Sequence, residues 1–303
     1  MMPGMLGIPR RTTVLGTTLA WTELGAGPPL LLLHGLGDSH RTWRRVAPRL
    51  SERYRLLLLD LPGHGLSDRP DAPYTLDWYA DMVLGWMDAI GVQTTSVVGH
   101  SYGGGVAQWM VLAQRGRIER LALVAPGGLG RTVSLGLRLA LFPVLGRLLT
   151  QPLMHAGTHV LMRVGVGGAA RMEPEEIALS ARRNAAPGTG LAFHRTVAGC
   201  MDLSGQRVQT WDRIHEVESL PPLALFWGER DRILPIEHAH SARKRIGGGP
   251  FHSYPSAGHF VHLEATEPFT DDLLRFLGSA DPEPTKILDE TLHARWRAAH
   301  ASR

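Results

Sequence analysis

The sequence predicts a doubly wound α/β fold, a mostly parallel sheet carrying an inserted helical cap subdomain. Three observations predict it. Short apolar runs are each closed by Gly or Pro, helical patterns lie between them, and the alternation stops over one long stretch. The runs at 30–33, 56–59, 96–98, 121–124 and 223–227 end at His34-Gly35, at Asp60 with a Gly/Pro turn, at Gly99, at Pro126-Gly127-Gly128 and at Gly228. Uninterrupted apolar runs of this length suit strands buried on both faces of a parallel sheet.

The elements follow in order. Residues 12–15 and 17–23 read as an opening hairpin, and helices are predicted at 41–50, 77–90, Tyr102–Gln114, 236–245 and 264–277. In the second of these, Trp78, Met82, Val83, Trp86, Met87 and Ile90 recur at helical spacing and make one packed face. Strand–helix alternation of this kind argues a doubly wound sheet. Between Leu129 and about Val217 only helical patterns occur, at 135–149, 155–166, 173–185 and 191–201, punctuated by Pro143, Pro152, Pro174 and Pro187. The expected organisation is a core of residues 1–128 and 217–279, a helical cap of 129–216, and a tail of 280–303 with a last helix from Lys286.

Composition narrows the class. The 303 residues are 44% hydrophobic and 20% charged, a globular balance. Of 32 basic residues only Lys244 and Lys286 are lysine, and the net charge is +4. The arginines are scattered, with no like-charge run and no basic stripe interleaved with aromatics, so a nucleic-acid partner is not expected. The longest apolar runs fall far short of a bilayer span, so no stable membrane insertion is expected. No apolar core follows Arg10 and Arg11, as a signal peptide requires, and the single Cys200 makes no internal disulfide. A cytoplasmic location is expected; the oligomeric state is left open.

The chemistry concentrates in Gly99-His100-Ser101-Tyr102-Gly103. It fits G-x-S-x-G in the required context, a strand before and a helix after. Ser101 would project at the carboxyl edge of the sheet, at a helix N-terminus that favours developing negative charge. His34-Gly35-Leu36-Gly37 ends an earlier strand and supplies a second feature. Acyl transfer needs two N–H donors aimed at the oxyanion. Leu36 and Tyr102 are placed to give them, with His34 bracing the loop.

With these motifs the chain resembles the α/β-hydrolase fold superfamily, over roughly residues 12–277. Asp60-Leu-Pro-Gly-His-Gly-Leu-Ser-Asp68 resembles its structural D-x-x-G-x-G-x-S loop. Gly228-Glu-Arg-Asp231-Arg-Ile-Leu-Pro235 resembles its acid loop, and Ser256-Ala-Gly-His259-Phe-Val-His-Leu-Glu264 its histidine loop. The resemblance implies Ser101 as nucleophile, Asp231 as acid and His259 as base, in the Ser–acid–His chain order. Rivals for the acid are Glu229 and Asp202; the rival for the base is His262.

The expected activity is hydrolysis of a small-molecule carboxylic ester with a medium-sized or apolar acyl group, through an acyl-enzyme. Alternatives are C–C cleavage of a meta-cleavage-type diketone acid, a cofactor-free perhydrolase or haloperoxidase, and a non-enzymatic ligand receptor. Family members that cleave C–C bonds often carry H-G-x-G-P-G, whereas here Gly37 is followed by Asp38-Ser39. Epoxide hydrolases and dehalogenases of this fold use an aspartate nucleophile, which Ser101 argues against. No zinc-ligand spacing occurs, and Gly63-His-Gly65 is too short for a dinucleotide fingerprint, so no cofactor or metal is expected. The substrate pocket is expected around His34, Gly35, His100, Leu141, Leu145, Met162 and His262, roofed by an apolar helix that includes Leu135 and Leu137.

Overall fold

The computed structural model describes residues 6–139, 154–160, 173–247, 249–280 and 283–289, with residues 291 and 294. Eight strands form one sheet: β1 (Arg10–Val14), β2 (Thr17–Leu24), β3 (Pro29–Leu33), β4 (Arg55–Leu59), β5 (Thr95–His100), β6 (Ile118–Val124), β7 (Leu223–Gly228) and β8 (Phe251–Tyr254). Their spatial order is β1-β2-β4-β3-β5-β6-β7-β8. The β1–β2 and β2–β4 pairs are antiparallel and the others parallel. This is the mostly parallel sheet of an α/β-hydrolase fold.

The continuous leucine runs have a direct cause. Successive strand residues point to opposite faces, and both faces are covered. Leu31, Leu33, Leu57 and Leu59 join Val97, Leu121 and Leu123 in one core. Leu30, Leu32, Leu56 and Leu58 join Val98, Ala122, Val124 and Phe226 in the other. On the first face lies the Leu76–Ala89 helix, capped by Thr75, whose side chain accepts from the Trp78 N–H. Its Met82, Val83, Trp86 and Met87 are buried, and Trp78 and Ile90 pack at the margin. The Tyr102–Gln114 helix falls where the sequence places it.

Two expectations are corrected. In place of one helix over 41–50 there is a 3-10 segment, His40–Arg45, followed by the single turn Ala47–Leu50. Pro48 has no N–H to give and is tolerated only in a first turn. The helix expected at 264–277 is found as Thr266–Leu277, with Pro268 in its first turn, and a separate short helix, Val261–Glu264, precedes it. At Lys286 a short strand stands where the helix was expected, and the helical residues described in the tail are Thr291 and Ala294. Lys286–Ile287 pairs antiparallel with Ile246–Gly247, and Ile287 is buried.

Where the alternation stops, the described residues are mainly helical: Leu135–Leu139, 154–160, Pro174–Asn184 and Thr189–Cys200. Two short strands, Met201–Asp202 and Gly205–Gln206, close this stretch as a hairpin. It is tied to the core by charge. Arg41 pairs with Glu176, and Arg44 and Arg45 both pair with Glu173. No described helix is long and apolar enough to cross a membrane.

Candidate active site

Ser101 sits between β5 and its helix with φ +52° and ψ −118°. Only a heavily over-determined environment holds a non-glycine residue in such a conformation. The main chain supplies it. The Ser101 N–H donates to the Val124 carbonyl at 2.9 Å, and the Ser101 carbonyl accepts from Gly104, Gly105 and Gly127 at 3.0, 3.2 and 2.9 Å. The flanking glycines are forced by contact. A Cβ at Gly99 would lie 2.6 Å from the Gly104 Cα, and one at Gly103 would lie 2.5 Å from the His34 carbonyl oxygen.

Tyr102 is the first residue of the helix, where a backbone N–H has no helical acceptor. The loop carrying Leu36 is braced by His34. Its Nδ1–H donates to the Gly35 carbonyl at 2.8 Å, and its Nε2 accepts from the Leu61 N–H at 3.0 Å. Burial pushes the His34 pKa down, in keeping with this neutral tautomer. Asp38, in the same loop, accepts the Ser39 N–H at 2.8 Å, and burial pushes its carboxyl up.

The loop after β4 is held by Asp60, which is fully buried. One oxygen accepts the His40 N–H and Nδ1–H at 2.7 and 2.8 Å, and the other accepts the Leu66 N–H at 2.8 Å. Burial alone would raise this carboxyl, but the adjacent His40 outweighs it and holds the pKa below the usual range.

Asp231 and His259 are brought together. His259 Nδ1 lies 2.7 Å from Asp231 Oδ2, and both side chains are almost fully buried. The other oxygen, Oδ1, accepts the Ile233 and Leu234 N–H groups at 2.8 and 2.9 Å. With both oxygens engaged, the carboxylate fixes one imidazole orientation. The rivals lie in other contacts. Glu229 accepts from Ser253 Oγ at 2.8 Å, and Asp202 pairs with Arg131 at 3.2 Å. His262 Nε2 lies 2.7 Å from Thr42 Oγ1.

Ser101 opens onto a cavity that it shares with Leu36 and Tyr102. The described wall is apolar, made by Leu76, Leu137, Cys200, Met201, Val208, Ile233 and Leu234, with Gln206 as a polar member. Gln206 is itself engaged, its Oε1 accepting the Gly128 N–H at 2.8 Å and its Nε2 donating to the Gly130 carbonyl at 2.7 Å. Burial raises the Tyr102 hydroxyl well above the usual tyrosine range and pushes the Cys200 thiol up to about 12, so neither ionises near neutral pH.

The expected pocket residues are partly corrected. His34, Gly35, His100 and His262 do not line this cavity. The three imidazoles are turned into the protein, because a buried ring must satisfy its N–H internally. Leu141, Leu145 and Met162 lie outside the described residues. Ile233 and Leu234 were missed, although they directly follow Asp231 in the acid-loop motif. Met201, Val208 and Gln206 carry no sequence signal, since their approach to Ser101 depends on how the hairpin folds back.

Comparison with known proteins agrees with the fold. The model of the alpha/beta hydrolase family matches residues 30–272. An uncharacterized protein of Mycobacterium tuberculosis is 32% identical over 278 residues, which cover 89% of this chain and 81% of that one. A 2-hydroxymuconate semialdehyde hydrolase from a Pseudomonas strain is 28% identical over 269 residues, covering 86% and 90%. Among solved structures, an alpha/beta hydrolase fold protein from Burkholderia ambifaria is similar with a TM-score of 0.77 and 28% identity, covering 88% of this chain and 96% of that one.

Proposed function

Because this chain belongs to the alpha/beta hydrolase family, we propose that it is a serine hydrolase acting on carboxylic esters with an apolar acyl group. The observation that carries the reading is the 2.7 Å contact between His259 Nδ1 and Asp231 Oδ2, in a fold that presents Ser101 on a strained turn facing an apolar cavity. With Nδ1–H committed to the carboxylate, Nε2 is the free base. His259 takes the Ser101 proton as Oγ attacks the acyl carbon, and Asp231 stabilises the imidazolium that forms. The Leu36 and Tyr102 N–H groups hold the oxyanion. The imidazolium gives its proton to the leaving alkoxide, and water activated by His259 then cleaves the acyl-enzyme.

A second reading has support of its own. The 2-hydroxymuconate semialdehyde hydrolase similarity favours C–C cleavage of a diketone acid by the same machinery. Such a substrate carries a carboxylate, and burying one calls for a cation or a dense set of donors. None of the described residues lining the Ser101 cavity is charged, which favours the neutral acyl group. The test is a panel of p-nitrophenyl esters from acetyl to octanoyl beside a vinylogous diketone acid. Higher kcat/KM on an ester supports the proposal; preference for the diketone acid overturns it. Tight retention of an ester without turnover would mark a receptor.

A further inference from the structure

We infer that His100 is a positioning residue for this reaction, holding the main chain of His259 at a fixed place relative to Ser101. The inference rests on the proposed triad. His100 is the residue immediately before the nucleophile, and its side chain is 1% exposed. Its Nε2 lies 2.9 Å from the carbonyl oxygen of His259. A carbonyl only accepts, so Nε2 carries the proton and His100 donates. Burial first, then the neighbouring His262 and His259, holds its pKa well below the usual histidine range. The ring is therefore held neutral, with its proton on Nε2.

The packing leaves the ring one orientation. The rings of His259 and His262 lie 4.8 and 4.6 Å away, centre to centre, and Phe260 lies at 5.3 Å. His262 is itself tethered to Thr42 at 2.7 Å. On the remaining edge the chain comes so close at Gly35 that a Cβ there would stand 3.1 Å from His100 Nδ1 and 3.1 Å from the Ser101 Cβ.

The two contacts on His259 do different things. Asp231 fixes the rotation and tautomer of the imidazole. The Gly258 and Phe260 N–H groups on either side of His259 donate to Glu264 at 3.0 and 3.1 Å and shape the loop locally, and the His100 bond ties that loop to the turn bearing Ser101. Its donor is covalently joined to Ser101, so the turn bearing the nucleophile and the loop bearing the base move as one body. A displacement of about 1 Å between reacting groups costs on the order of 10²-fold in rate, so a hydrogen bond that acts only on distance is catalytically significant. The competing reading is that His100 merely fills volume beneath the elbow.

Three variants of the full chain separate these readings. In His100→Gln the amide nitrogen occupies about the place of Nε2 and restores the donor. His100→Leu keeps the volume without a donor, and His100→Asn keeps an amide that stops short of the carbonyl. With p-nitrophenyl butyrate, His100→Gln is expected to stay within a few-fold of wild-type kcat. His100→Leu and His100→Asn should lose about 10²-fold in kcat at nearly unchanged KM, and a fluorophosphonate should label Ser101 correspondingly slowly. If His100→Leu does not fold, the comparison of Asn with Gln decides. Equal kcat in those two variants, or wild-type kcat in a folded His100→Leu, overturns the inference. Ser101→Ala and His259→Ala serve as controls: if either retains turnover, it is the triad reading that falls.

Discussion

The side-chain amide of Asn184 lies 2.6 Å from the carbonyl oxygen of Gly37. The same nitrogen is 2.9 Å from Thr158 Oγ1. One buried donor thus joins the Pro174–Asn184 helix, the helix over 154–160 and the loop that presents the Leu36 N–H. The place of these two helices and the shape of the loop carrying Leu36 are therefore tied through Asn184. Asn184→Leu leaves the Gly37 carbonyl without this partner, and an unsatisfied buried polar group costs about 1–3 kcal/mol. The expected outcome is a lower denaturation midpoint together with a lower kcat. If the midpoint falls while kcat is unchanged, the contact is structural and the proposed oxyanion donor at Leu36 does not depend on it.

Acid should loosen the same helix at its other end. Glu173 accepts from Arg45 and Arg44 at 2.7 and 2.5 Å. Burial alone would raise its pKa, but these hydrogen bonds outweigh burial and lower it from 4.5 to about 2. A depressed carboxylate stabilises the fold above its unfolded pKa, and that contribution is lost as pH falls through the folded value. The window is therefore between pH 4.5 and about 2. The group is 43% exposed, so solvent screens the pairs and the effect is small. Denaturation midpoints at pH 5 and pH 3 should fall further in the wild type than in Glu173→Gln. Parallel declines would show that the Arg44 and Arg45 pairs contribute nothing.

Much of the fold was legible because its signals are local. An apolar run closed by Gly is readable wherever both faces of a strand are buried, as at Leu30–Leu33 and Leu56–Leu59. Gly99 and Gly103 were legible because the turn at Ser101 admits no Cβ on either side. Asp231 and His259 were singled out through motif order; their contact joins residues far apart in sequence and only the folded chain displays it. The errors were of two kinds. Pro48 was read inside a continuous helix, although it allows only a first-turn position. His34 braces its loop as the sequence suggests; His100 and His262 were read as pocket residues, whereas each is buried with its Nε2 engaged inside the protein. Asn184 had no sequence signal, since its role arises from a long-range contact with Gly37.

The cavity wall sets a selectivity that can be measured. Each buried methylene contributes roughly 0.8 kcal/mol, or about fourfold in kcat/KM. Ester selectivity should therefore rise from acetyl to about hexanoyl and then level off. Met201 lines the cavity without belonging to the proposed triad or oxyanion hole. Met201→Ala should lengthen the preferred acyl chain while retaining activity. A chain-length profile identical to wild type would place the acyl group elsewhere than against this wall.

The central claim is that Ser101 is the nucleophile, and turnover of p-nitrophenyl butyrate by purified Ser101→Ala tests it most directly. The strain at this position serves to expose the hydroxyl, so alanine should leave folding intact, verified by an unchanged cooperative unfolding transition. Removing a triad nucleophile costs on the order of 10⁴–10⁶ in kcat, and the account predicts a loss of that size. Turnover comparable to wild type in the folded variant would contradict it.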